Sequence, residues 1–446
     1  MRTGSTWGTA RSSDLFTRSR RVIPGGVVSL NRAVEPALAF ARGRGSRIWD
    51  LDGNEYVDYH GAFSPYLLGH HDADVEAAVR AALDDGLTLM GSGTTPWEVR
   101  LAELIVEHVP GVERVQLTTS GSEATFHALR LARAHTGRDG VLVVQGGYNG
   151  WHNDVACNVM TPLAEIGPRV SPGEYPVRPM SAGVPRSVQR EVHVVNFNDL
   201  PSAEHVLARR DIAAVILEPV LQNVGVIHPQ PGYLDGLRRL CDRTGTVLVF
   251  DEIKTGFRHA LGGYQSLAGV RPDLCTLGKA IANGHPLGAI GGRADLMDLF
   301  ADPDPARRVL IAGTYNAHPL ACAAAIATIE KLAGRQEEIY GHLEGRGREM
   351  EEGLRQILAA HGVCGTVARQ GSAFCLYFMD HAPRDWHDIA EHHDFALDLA
   401  YRRALVAAGV YHFPQACKQG SISLAHSPAD VAETLERTDA VLRALR

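Results

Sequence analysis

Val247-Leu-Val-Phe-Asp-Glu-Ile-Lys-Thr-Gly-Phe-Arg258 and, a little further on, Asp273-Leu-Cys-Thr-Leu-Gly-Lys279 decide how this chain is read. The apolar run Val247 to Phe250 predicts a buried strand, and Asp251 stands at its carboxyl end. In open α/β sheets, ligands sit at that end of the strands. Lys279 lies in a stretch of small and flexible residues, with no Asp, Glu, Arg or second Lys from Leu274 to Ala289. Lysine is scarce: Lys254, Lys279, Lys331 and Lys418 are the only ones in 446 residues.

A lysine so flanked is desolvated, which lowers its pKa by up to ~3–5 units at full burial. Lysines that form Schiff bases need that shift. The plainer alternative is a loop lysine that snorkels to solvent. Asp251 alone would serve equally as a helix cap or a metal ligand. Together the two suit pyridoxal phosphate: the carboxylate keeps the pyridine nitrogen protonated and the lysine holds the aldehyde.

The segments Asp251–Arg258 and Pro272–Lys279 resemble the signature of the class III, fold-type I pyridoxal-phosphate aminotransferases. Within that class the chain is most similar to the glutamate-1-semialdehyde aminomutases, from about Ile23 to the C-terminal helix. The resemblance implies an α/β fold, with a large domain built on a mainly parallel seven-stranded sheet and a smaller α+β domain. It also implies a Schiff base on Lys279, a ring nitrogen paired with Asp251, and a homodimer.

Outward from this pair, the pattern supports the same architecture. Strands are expected at 115–118, 141–144, 213–217 and 247–250, separated by helical stretches, which gives a mainly parallel sheet with crossovers. Ser120 and Glu123 form an S-x-x-E capping box opening a helix. Free N–H groups there, with the Ser120 and Ser122 hydroxyls around Gly121, suit a phosphate, and the stretch resembles the family's phosphate loop. Tyr148 follows Gly146-Gly147 and is free to lie flat on a planar ring. It matches the family's Tyr-His-Gly, with Asn149 in place of the histidine, which leaves that histidine's role unassigned. Asn223 matches the family's amide at the cofactor's ring hydroxyl. Thr314, in Gly313-Thr-Tyr-Asn316, matches a threonine that reaches the partner subunit's cofactor phosphate. Ser29 and Arg32 are spaced like the aminomutase's N-terminal substrate loop. Lys418 falls where the aminomutase carries a glutamate near the substrate.

The remaining chain divides into an N-terminal segment, 1–70, packing with the small domain, a large cofactor domain, 71–335, and a small α+β domain, 336–446. Residues 1–20 are polar and read as frayed or as an arm. Arg47–Tyr59 alternates about Asp52-Gly53-Asn54 and predicts a hairpin. Residues 155–190, proline-rich and without periodicity, suit a lid or a flexible insertion; they occupy the position of the aminomutase's gating loop, and the resemblance implies a lid. Lys331 reads as a solvated side chain. Lys254 is either an exposed loop lysine or a cation near the cofactor's ring oxygen.

Composition narrows the function. The chain is 45% hydrophobic and 21% charged, with a formal charge of −7, which gives no reason to expect nucleic acid or an anionic membrane as partner. No run approaches the ~20 apolar residues of a membrane span. Seven scattered cysteines without C-x-x-C suggest a reducing cytoplasm. No metal-ligand spacing such as H-E-x-x-H occurs, and no catalytic metal is expected. The expected activity moves an amino group from an amino acid or amine to a keto acid, aldehyde or ketone. A glutamate-1-semialdehyde 2,1-aminomutase is the alternative. From other classes there remain a catalytically silent protein of the same fold and an NAD-dependent oxidoreductase, although no G-x-G-x-x-G opens a helix after a strand.

Overall fold

The computed structural model describes residues 7–209 and 211–445. Near the N-terminus, β1 (Phe40–Arg44), β2 (Arg47–Asp50) and β3 (Glu55–Asp58) pair antiparallel in sequence order. The expected hairpin is present, with Ile48 opposite Tyr56. Gly53 turns it with φ 88°, a conformation that costs a residue with a Cβ. The Asp50 carboxylate accepts the Asn54 N–H at 2.8 Å and locks the turn.

The central sheet contains β4 (Arg114–Thr118), β5 (Gly140–Val144), β6 (Val192–Val195), β7 (Ile212–Leu217), β8 (Val247–Asp251), β9 (Leu274–Gly278) and β10 (Gly288–Gly292). Their spatial order is β4-β10-β9-β8-β7-β5-β6. The pairs β5–β6, β5–β7, β7–β8 and β8–β9 are parallel, and β10 runs antiparallel to both β4 and β9. All four expected strands are there. Every residue of β7 and β8 is buried, as expected for parallel strands covered on both faces. The helix Gly121–Thr136 crosses β7 to β10. It opens on Ser120 with the full capping box: Ser120 Oγ accepts the Glu123 N–H, and Glu123 accepts the Ser120 N–H.

A third sheet joins β11 (Thr366–Gln370), β12 (Ala373–Tyr377) and, after β13 (Val410–Tyr411), β14 (Gly420–Ser421). The strand β13 pairs parallel with β3, so the N-terminal strands are sewn to the C-terminal part. Helices Gln336–His361 and Pro428–Ala444 pack on each other beside it.

Two expectations change. Residues 1–6 lie outside the described residues, but Ala10–Ser19 is an ordered helical arm rather than frayed chain. It is anchored by the Arg11 and Ser12 N–H groups on the Asp52 carboxylate. Lys331 is not solvated, because it pairs with Asp72 at 2.7 Å and Asp74 at 2.8 Å. Residues 155–190 carry short helices at Leu163–Ile166 and Arg186–Arg190. They are clasped to the C-terminal part by a two-pronged Arg169–Asp385 pair and by Trp386 Nε1 on the Thr161 carbonyl.

Candidate active site

Because the strands run parallel, the carboxyl ends of β7, β8 and β9 face one side of the sheet, and the site is assembled there. Asp251, last in β8, is 2% exposed. It accepts hydrogen bonds from Asn149 Nδ2 (2.8 Å), the Ile253 N–H (3.0 Å) and Thr276 Oγ1 (3.1 Å). Burial raises its pKa, and these donors only partly offset the effect. Lys279 follows β9 with φ 49°. Burial lowers its pKa, while Asp251 and Glu218 pull the other way. The residue types that the sequence singled out therefore meet across two adjacent strands.

Tyr148 follows β5, half-buried, and its N–H donates to Glu218 at 3.0 Å. The structure gives Asn149 a role that its place in the motif left open, since it grips Asp251. Sequence reading passed over Glu218, Thr276 and Ile253. Glu218 is buried just past β7, the position Asp251 holds on β8, and that shared place was the available signal. It also accepts the Gln222 N–H at 2.9 Å. Ile253 fills a notch between two glycines: a Cβ on Gly121 would lie 2.7 Å from its Cδ1, and one on Gly278 would lie 3.0 Å away.

At the start of helix Gly121–Thr136, Glu123 engages the N–H groups of Thr119 and Ser120. The N–H groups of Gly121 and Ser122 have no partner among the described residues. Ser122 Oγ accepts the Trp151 N–H at 3.3 Å, which leaves its hydroxyl proton to donate elsewhere.

Lys254 and Lys418 are both drawn in. Lys254 Nζ donates to the Gln222 carbonyl at 2.8 Å, so it is not an exposed loop lysine. Lys418 Nζ donates to the Asn223 carbonyl at 3.0 Å and to Asn223 Oδ1 at 3.1 Å. Burial pushes the Lys418 ammonium down to about 8 and lowers Lys254 well below its usual value. Asn223 Nδ2 donates to the Gly146 carbonyl at 3.3 Å, beside Tyr148. Ser29 and Arg32 sit on a separate turn, and Arg32 lines a neighbouring cavity of about 660 Å³ with His60, Phe63 and Phe413. Neither Lys279 nor Asp251 lines that cavity. His60, on that cavity's wall, is depressed to about 4, chiefly by burial, with Asp58 opposing and Lys254, Lys418 and Arg32 adding to it. Thr314 is exposed and touches none of these residues by hydrogen bond. Among the described residues, two triads of metal-ligand types, absent from the linear spacing, lie elsewhere. In one of them, His393–Asp398–Cys417, Arg402 already occupies Asp398.

The donor set fits pyridoxal phosphate. Asp251 is a buried anion with only neutral donors in contact among the described residues, and a buried charge wants a counter-charge. A protonated ring nitrogen supplies one. The unclaimed N–H pair at the helix N-terminus suits the phosphate, and Tyr148 and Ile253 offer a ring and an aliphatic wall. These features define a pyridoxal-phosphate enzyme of the transaminase and aminomutase kind.

Comparison with known proteins narrows the class. The family described as Aminotransferase class-III matches residues 28–415. A glutamate-1-semialdehyde 2,1-aminomutase of Syntrophomonas wolfei is 39% identical over 441 residues, which are 98% of each chain. Among solved structures, an omega-transaminase from Sphaerobacter thermophilus superposes with a TM-score of 0.88 at 32% identity, over 98% of both chains. A transaminase with PLP bound superposes with a TM-score of 0.86 at 27% identity, again over 98% of both. The chain belongs to the class III aminotransferases, and its cofactor is pyridoxal 5′-phosphate.

Proposed function

We propose that this chain is an aminotransferase that releases a keto product, with an amino acid or ω-/β-amino acid as donor and a keto acid as acceptor. The observation that carries this reading is the Lys418 ammonium, held on Asn223 beside the site, at the position where the aminomutase resemblance has a glutamate. A cation there repels a diamine and favours a carboxylate, by roughly 1–4 kcal/mol for a close pair at effective dielectrics from water-like to ~20. A second reading, the aminomutase, is favoured by the 39% identity to the glutamate-1-semialdehyde 2,1-aminomutase of Syntrophomonas wolfei.

When bound, the cofactor supplies an aldehyde for the amino group and a protonated ring that draws electrons from the substrate carbon. Lys279 Nζ would hold that aldehyde and, freed by the substrate amine, would take a proton from and return it to the substrate carbon as general acid and base. Asp251 would keep the ring nitrogen protonated, with Asn149 and Thr276 holding Asp251 in place. Tyr148 would offer its ring to the cofactor's and Asn223 a donor to its hydroxyl. Ser120, Gly121 and Ser122 would hold the phosphate, joined by Thr314 from a second copy of the chain. The exposed Leu310 and Tyr315 flanking Thr314 support a homodimer. The boundaries near 70 and 335 are supported by the β3–β13 pairing and by the separate C-terminal sheet. No described helix is long and apolar enough to cross a membrane, and all seven cysteines are free thiols, which supports a cytoplasmic location.

A half-reaction screen tests the reading. Single amines are added to the yellow enzyme without acceptor, and keto-product release is followed. Borohydride should fix the cofactor on Lys279. If glutamate-1-semialdehyde alone reacts, and 5-aminolevulinate emerges with no keto product, the aminomutase reading replaces this one.

A further inference from the structure

The short helix Trp386–His392 follows the C-terminal strand β12 and makes contacts of two kinds. Its start clasps the 155–190 segment: Asp385, its cap, pairs with Arg169, Trp386 Nε1 reaches the Thr161 carbonyl, and His387 Nε2 meets that of Gly167 at 3.0 Å. Further along, Asp388 and His392 stand four residues apart and so share one side of the helix. His381, from the loop before the helix, comes to the same place, its ring centroid 5.1 Å from that of His392. One ligand atom from each of His381, Asp388 and His392 lies within 4.8 Å of the other two.

The surroundings orient these atoms. The Asp388 side chain is buried, and the Arg384 N–H donates to its Oδ2 at 3.0 Å. Its Oδ1 faces His381 Nε2 at 3.1 Å and His392 Nε2 at 3.9 Å. The Arg384 guanidinium comes no nearer to Oδ1 than 3.6 Å, and its side chain is mostly exposed and free to turn away. Asp380 Oδ1 accepts the Nδ1 proton of His381 at 2.6 Å, which turns Nε2 toward Asp388. Histidines that bind metals give their other ring N–H to a carboxylate in this way, which fixes the ring and raises its basicity. In a tetrahedral zinc site with bonds of about 2.0–2.1 Å, the ligand atoms stand roughly 3.3–3.4 Å apart. The 3.1 and 3.9 Å separations bracket that spacing. A hollow of about 630 Å³, lined by Cys364, Phe378, Met379, Asp380, His381 and His392, opens the cluster to solvent. It gives an ion a way in and a water a fourth position.

We propose that His381, Asp388 and His392 bind a divalent transition-metal ion, zinc above all, with Asp380 as the positioning residue for His381. Two imidazoles and one carboxylate suit zinc, nickel or copper. They select against calcium and magnesium, which take oxygen ligands. Bound at Nε2 of His381, the metal replaces the proton there, which leaves to solvent. The ion ties the last turn of the helix to the loop before it. Because the same helix clasps the 155–190 segment, metal uptake stiffens that clasp and takes no part in the amino transfer.

The experiment titrates zinc ion into the yellow holoenzyme against a chromogenic chelator, with magnesium and calcium for comparison, beside His392→Ala, His381→Gln and Asp380→Ala. The unmodified enzyme should take up one zinc ion more than either histidine variant, a difference that cancels metal held by the cofactor or by other side chains. Magnesium and calcium should show no such difference. Asp380→Ala should keep the site but bind zinc roughly 10–100-fold more weakly. Zinc should raise the melting temperature of the unmodified enzyme and not that of His392→Ala. All three variants should keep their turnover. Equal zinc uptake by the unmodified enzyme and the histidine variants overturns the proposal, as does a site that magnesium fills equally well. If His392→Ala does not fold, His381→Gln decides by the same difference.

Discussion

The buried Asn149 side-chain amide, past the end of β5, donates a 2.8 Å hydrogen bond to Oδ2 of the buried Asp251, last in β8, across the intervening β7 of the same sheet. A hydrogen bond to a charged group contributes about 1.5–3 kcal/mol. Asn149→Ala should therefore weaken cofactor retention and lower kcat/KM by roughly ten- to a hundredfold. Titration of the apoprotein with pyridoxal phosphate, beside steady-state rates, checks this. Unchanged retention would mean that Asp251 needs no such clamp.

Gly288 opens β10 against the turn that leads into helix Gly121–Thr136, and a Cβ there would strike the Ser120 carbonyl and come within 2.6 Å of Thr118 Oγ1. Gly288→Ala must push the loop outward. Overpacking of this kind costs about 1–3 kcal/mol. The expected outcome is a weaker hold on the cofactor phosphate, seen as a higher pyridoxal phosphate requirement, with the fold retained by circular dichroism.

Lys331 pairs with Asp72 and Asp74 at 11% side-chain exposure, and Asp72 Oδ1 also caps the helix Ala73–Asp84. Lys331→Met leaves Asp72 without its counter-charge. The loss should fall between that of an exposed and a buried pair, about 1–3 kcal/mol. Urea unfolding would show it as a lower midpoint, with activity per folded molecule kept.

Lys418, pushed down to about 8 by burial, is charged below that pH in the folded protein and loses its proton as pH rises through it. An unfolded lysine stays charged to about 10.4. Between the two values the unfolded chain binds the extra proton, so this group's contribution to stability improves as pH rises while its hold on an anion fades. KM for a carboxylate substrate should climb above about pH 8. In Lys418→Arg, whose guanidinium stays charged, the climb should be absent. The pH profile of KM for the two proteins decides it.

Much of the site was legible in the sequence because its parts are local or lie at strand ends. The capping box of Ser120 and Glu123, the turn at Gly53 and the acid ending Val247–Asp251 each depend on residues a few positions apart. A strand-end rule placed Asp251 at the ligand side of the sheet, while Lys279 stood out by the scarcity of lysine and its uncharged neighbours. What the sequence could not decide was where a charge finds its partner. Lys331 looked solvated because Asp72 lies 259 positions away. Lys254 looked exposed because the carbonyl of Gln222 that receives it belongs to another strand's loop. The N-terminal arm is a helix because Asp52, past the first two strands, takes its N–H groups. Burial and pairing of charges are set by packing between distant segments, and only the tertiary structure brings those segments together.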